Sequence, residues 1–131
     1  MAPRPEGVSR SLARKVPAME RLSDRPLLSP ILAGQLVGLF KVLANDTRLR
    51  ILHHLIRSSE ATVGDISGAL EMSPQAISNQ LQRLSDWGVL RARREGTSIH
   101  YRLINPCVAE LLDRALCWLE QPERSDCGPF C

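Results

Sequence analysis

Between Ser73 and Asp86 the chain carries Gln75, Ser78, Asn79, Gln82 and Arg83 at spacings that bring them to one side of a helix. These are short, forked or cationic groups, the kinds that hydrogen-bond base edges and phosphate oxygens. The opposite side holds Ala76, Ile77, Leu81 and Leu84, a narrow apolar face suited to burial. Just beyond stand four arginines, Arg91, Arg93, Arg94 and Arg102, and after them four cysteines, Cys107, Cys117, Cys127 and Cys131. Arginine forks match phosphate, whereas thiolates bind soft metal ions or take part in redox exchange. Two chemistries are therefore on offer: contact with a nucleic acid, and thiol chemistry.

The elements that must position these groups are marked by their ends. Ser73-Pro74 is a helix start, a hydroxyl that accepts a free amide followed by proline at the first helical position. Trp87-Gly88 stops that helix, with glycine where a left-handed residue is needed. Residues 89–94 and 98–103 then pair as a hairpin around Glu95-Gly96-Thr97. A polar helix face alone would suit any solvated helix. Helix, stop and arginine-rich hairpin in this order point instead to a winged helix-turn-helix. Upstream, Thr62-Val63-Gly64-Asp65 has capping-box spacing and opens a short helix to Leu70, with Glu71-Met72 as the tight turn. Residues 62–86 are then the helix-turn-helix, and its second helix is the reader.

Three more helices frame it. Ser29-Pro30 opens one from Ile31 to about Ala44, apolar on more than one face. Asn45-Asp46 caps the next, Thr47 to about Arg57, with Leu49, Ile51, Leu52, Leu55 and Ile56 expected inward. Asn105-Pro106 starts the last, to about Glu120, with Val108, Leu111, Leu112, Ala115, Leu116 and Leu119 apolar. Residues 1–28 are rich in Pro, Arg and Ser without periodicity and are expected to be a disordered basic arm. Residues 29–120 form the DNA-binding and dimerisation domain, and 121–131 a tail holding two cysteines. The expected class is mainly α with a β-hairpin wing.

The net charge of +3 is unevenly spread. Residues 1–28 hold six of the 17 basic and three of the 14 acidic side chains, leaving the remainder balanced. The DNA-binding signal therefore lies in local clustering on the hairpin, which a dimer would double. No apolar run is long enough to cross a membrane, and the N-terminus lacks the apolar core of a signal peptide, so a cytoplasmic location is expected. In a reducing compartment four cysteines suggest metal or redox chemistry more than a disulfide framework. No phosphate loop, nucleophile–base set or metal–water motif is present, so neither an enzyme nor a small-molecule substrate is expected.

From about Leu36 to Glu120 the chain resembles the ArsR/SmtB family of winged-helix, metal-responsive repressors. The run Phe40 to Leu52, FKVLANDTRLRIL, is similar to the family's LADPTRLRIL opening; Ser78-Asn79-Gln80-Leu81 resembles its SHHL or SHQL signature; Arg94-Glu95-Gly96-Thr97 with Tyr101-Arg102-Leu103 resembles its REGR…YYRL wing. The resemblance implies a homodimer paired through the first and last helices. Two reading helices would then enter successive major grooves of a near-palindromic operator in double-stranded DNA. It assigns DNA contact to Ser73, Gln75, Ser78, Asn79, Arg83, Arg93, Arg94 and Thr97, with Gln75 and Asn79 as base readers.

Sensing departs from the family pattern. Members with the box ELCVCDL carry two thiols, but here the aligned run Glu60 to Ile66 has Thr62 and Gly64 in those places. Other members use the last helix, with D-x-H, ten residues, then H-x-x-E. Here Asn105-Pro106-Cys107 is followed, after nine intervening residues, by Cys117-Trp118-Leu119-Glu120. Thiol in place of imidazole argues against hard ions and for Hg(II), As(III) or Cd(II) ahead of Zn(II). The expected sensor is built from Cys107, Cys117, Cys127 and Cys131, and ligand binding is expected to release the operator. Cys107 and Cys117 lie roughly 80° off a common helix face. A second subunit or the tail must therefore complete the set. Two alternatives stand beside this: a redox or persulfide sensor using the same cysteines, and Cys117 as a small core residue.

Overall fold

The computed structural model describes residues 21–121 and residue 123. A short 3-10 turn, Leu22–Asp24, lies inside the segment expected to be an arm; residues 1–20 lie outside the described residues. There follow α1 (Pro30–Leu43), α2 (Asp46–Ser58), β1 (Ala61–Thr62), α3 (Val63–Leu70), α4 (Pro74–Asp86), β2 (Leu90–Glu95), β3 (Ser98–Leu103) and α5 (Cys107–Glu120). The chain divides into two units within α1, between Gln35 and Leu36. The first contains the 3-10 turn and the first turns of α1, and the second holds everything that follows.

Four of the five helix starts seen in the sequence are side-chain caps. Ser29 Oγ accepts from the Leu32 amide at 3.1 Å, Asn45 Oδ1 from Arg48 at 3.0 Å, and Ser73 Oγ from Ala76 at 3.2 Å. Thr62 and Asp65 form the reciprocal box: Asp65 N–H donates to the Thr62 hydroxyl and Thr62 N–H to the Asp65 carboxylate. At the fifth, Asn105 Oδ1 accepts from the Cys107 amide at 2.8 Å, but Pro106 occupies the cap position without a side-chain cap and α5 begins at Cys107, one residue later than the Asn105-Pro106 pattern predicts. Glu71 closes α3 in the left-handed region, φ 56°, and Gly88 does the same after α4, φ 77°.

The core joins α2, α3 and α4 beneath the sheet. Ile51, Leu52, Leu55, Ile66, Ile77, Leu81 and Leu84 are fully buried, with Val89, Leu90 and Tyr101 closing the cluster from the sheet. Leu49 and Ile56, expected inward, lie at the surface because Ile51, Leu52 and Leu55 fill the inward arc of α2 and leave them at its edge. One polar tie crosses this layer. Arg48 donates from Nε to Gln80 Oε1 at 2.7 Å and from Nη1 to the Val42 carbonyl at 2.9 Å, linking α1, α2 and the reading helix. Arg48→Ala leaves both acceptors short of a charged donor. It is expected to lower unfolding free energy by about 2 kcal/mol, read from the urea midpoint.

The sheet has three strands in the order β1-β3-β2, all antiparallel. The sequence predicted a hairpin with a three-residue loop. Here Glu95 pairs with Ser98, so the turn is Gly96-Thr97 alone, with Gly96 at φ 63° as such two-residue turns require. Strand β1 adds Ala61 opposite Tyr101 and Thr62 opposite His100. The wing is thereby fastened to the start of α3.

Candidate nucleic-acid interface and thiol site

Helix α4 presents the expected polar side. Gln75, Asn79, Gln82 and Arg83 are exposed and Ser78 is half-buried, while Ile77, Leu81 and Leu84 hold the helix on the core. Gln75 Nε2 donates to Asn79 Oδ1 at 3.1 Å, so the two amides stand together one turn apart. That pair offers donors and acceptors together, as an adenine edge demands. Gln82 donates to Asp86 at 2.8 Å. Ser73 is exposed, but its hydroxyl is used in the cap. Gln80 lies outside the expected contact set, and its amide oxygen is taken by Arg48. The far end of α4 is seated by Trp87. A Cβ added to Gly38 of α1 would come within 2.6 Å of the indole, so glycine there makes room for the ring.

The wing places Arg94 and Thr97 in solvent at its tip. Arg93 is differently situated. Its Nη2 lies 2.6 Å from Glu60 Oε1, its Nε 3.4 Å from Glu60 Oε2, and its Nη1 2.6 Å from Glu95 Oε2. His100 Nδ1 is 3.6 Å from the same Glu60 oxygen. The Arg93 hydrogen bonds hold the Glu60 and Glu95 carboxyls below the usual range, and the two-way bonding with Thr62 does the same for Asp65. Arg93 itself is raised further above its ordinary value by both carboxylates. All three acids are depressed in the folded state. Their contribution is therefore present above the ordinary values of 4.5 for Glu and 3.8 for Asp, and it is lost as pH falls through the folded ones. The urea midpoint is expected to be flat above about pH 5 and to decline below about pH 4. Glu60→Gln should remove part of that decline.

The structure places Cys107 exposed and Cys117 buried, ten residues apart on α5. That separation is about 15 Å along the axis. An intrachain bridge is out of reach without unwinding, and one helix cannot bring both thiols to one ion. Cys127 and Cys131 lie outside the described residues. Among the described residues no three His, Cys, Asp or Glu side chains come together as a metal site. Further down α5, Leu116, Trp118 and Leu119 face outward, the last two about three-quarters exposed at 74% and 75%. On α1, Val37 and Phe40 are likewise exposed. Among the described residues no helix is long and apolar enough to cross a membrane.

Comparison with known proteins is consistent with this arrangement. A family model described as MarR family matches residues 45–98, from the cap of α2 to the start of β3. The arsenic resistance transcriptional regulator ArsR1 of Pseudomonas putida is 40% identical over 77 residues, covering 59% of this chain and 59% of that protein. The cadmium resistance transcriptional regulatory protein CadC homolog of Staphylococcus aureus is 33% identical over 89 residues, covering 68% of this chain and 72% of that one. Among solved structures, the AntR antimony-specific transcriptional repressor is 55% identical. It covers 78% of this chain and 92% of its own, with a TM-score of 0.70.

Proposed function

Since this chain belongs to the ArsR/SmtB family of winged-helix transcriptional regulators, we propose that it is a homodimeric repressor released from its operator by a thiophilic ion. The ion belongs to the trivalent arsenic and antimony class, ahead of Hg(II) and Cd(II). The observation that carries this reading is the position of Cys107. It is an exposed thiol at the first turn of a helix whose later turns leave an apolar surface of Leu116, Trp118 and Leu119 exposed. A second subunit packed on α1 and α5 would cover that surface. It would also bring further thiols toward Cys107, which Cys117 of the same helix cannot supply.

Antimony enters through the relative that is 55% identical, described as antimony-specific; arsenic enters through the arsenic resistance regulator. Both ions are soft, trivalent and bound by thiolates, and they suit a site without carboxylate or imidazole. Cys107 is the first ligand, Cys117 of the partner subunit the second, and Cys127 and Cys131 the candidates for the remainder. In the unliganded dimer, Gln75 and Asn79 read bases, with Arg83 on base or phosphate. Ser73, Ser78, Arg94 and Thr97 position the helix and wing on the backbone, and Arg93 adds a phosphate contact. Two such heads separated by about one helical turn select a near-palindromic site.

Selection from a randomised duplex pool with the reduced full-length protein tests the DNA half of this reading. Enrichment of an inverted repeat with half-sites about 10 base pairs apart is expected. Recovery of unselected sequence would refute it.

A further inference from the structure

Strand alternation gives the wing two unlike faces. Leu90, Ala92, Tyr101 and Leu103 pair on the side turned to the core, and Arg91 opposite Arg102 and Arg93 opposite His100 line the other. Like charges directly opposite across a strand pair repel, so the second face calls for a counter-anion. Part of it comes from outside the hairpin. Glu60, just ahead of β1, occupies the Nε–Nη2 edge of Arg93 with both carboxylate oxygens, while Glu95 takes Nη1. That forked edge is the one a phosphate uses. The side chains of Arg93 and Glu60 are 47% and 31% exposed, so solvent reaches the pair and exchange of one anion for another is cheap.

We propose that Glu60 stands in for a DNA phosphate on Arg93 in the unbound protein, and that it yields the guanidinium to the backbone when the wing docks. This rests on the DNA-binding reading above. It makes Glu60 a determinant of affinity and salt dependence without itself touching DNA. Arg91 and Arg102, on the same face, would meet the same strand, whereas Arg94 reaches DNA from the other face.

The test is anisotropy titration of a labelled mixed-sequence duplex with the full-length protein across a salt series. Wild type, Glu60→Gln, Arg93→Ala and the double variant are compared. Glu60→Gln should bind about 3-fold tighter at low salt for each wing engaged, an advantage that shrinks as added salt screens the Glu60–Arg93 pair. In the Arg93→Ala background the same change should do nothing. An equal gain in both backgrounds would mean that Glu60 merely repels DNA, and the proposal fails. Weaker binding by Glu60→Gln would mean that the pair holds the wing in its docking pose, and the proposal fails again. Loss of binding by the wild type would sink the DNA-binding reading, and this inference with it.

Discussion

Cys107→Ser is expected to bind DNA at wild-type strength and to lose its release by antimony or arsenic. The thiol is exposed at the head of α5 and outside the core, and its amide is already held by Asn105, so a hydroxyl fits without cost to the fold. What changes is the donor. A serine hydroxyl is a hard, neutral ligand, and the ion loses its first anchor. Effector coupling in allosteric repressors is on the order of 1–3 kcal/mol, or roughly 5- to 150-fold in affinity. In the variant the ratio of DNA affinities without and with ion should fall to about one. Thiolate-to-ion absorption in the ultraviolet, recorded anaerobically, should weaken in parallel. Retained release with retained absorption would move the sensor elsewhere in the chain.

The double change Leu116→Glu with Leu119→Glu is expected to give a folded monomer with little DNA affinity. Neither residue is in the core cluster, so the helix can keep its inner contacts through Val108, Leu111 and Leu112. Both are more than half exposed, next to Trp118, on a face with no cover among the described residues. A contiguous apolar surface of this kind marks an association site. Carboxylates placed there would have to be buried unpaired in a dimer. Separating the two reading heads removes the effective-concentration advantage, a loss of about 10²- to 10⁴-fold in DNA binding. Sedimentation should report the monomer while circular dichroism keeps the wild-type spectrum. A dimer of wild-type DNA affinity would place the interface on another face.

What the sequence made legible follows from how far apart the partners are. Ser29, Asn45, Thr62 and Ser73 each cap within three residues, Asn105 accepts an amide two residues on, and each was visible as a residue type beside a helical period. Strand β1 was not visible, because two residues carry no alternation and their partners, Tyr101 and His100, lie on the far side of the reading helix. The same distance hid the two polar ties that shape the site. Arg48 meets Gln80 across 32 positions, and Arg93 meets Glu60 across 33. In sequence Arg93 looked like one more phosphate contact, but in the fold its guanidinium is already engaged. The thiol site was half legible. The structure places Cys107 in the open and Cys117 inside, as the alternative of Cys117 as a small core residue within its apolar run anticipated, while Cys127 and Cys131 lie outside the described residues.

The most direct measurement is anaerobic titration of the protein–DNA complex, formed on the duplex selected by the reduced protein, with trivalent antimony. Anisotropy reports release. The account predicts a fall to the free-DNA value at a fixed ion-to-dimer ratio, reversed by a competing dithiol. Full occupancy of DNA through saturating antimony and arsenic, with release by diamide instead, would contradict it and identify a redox-sensing repressor on the same fold.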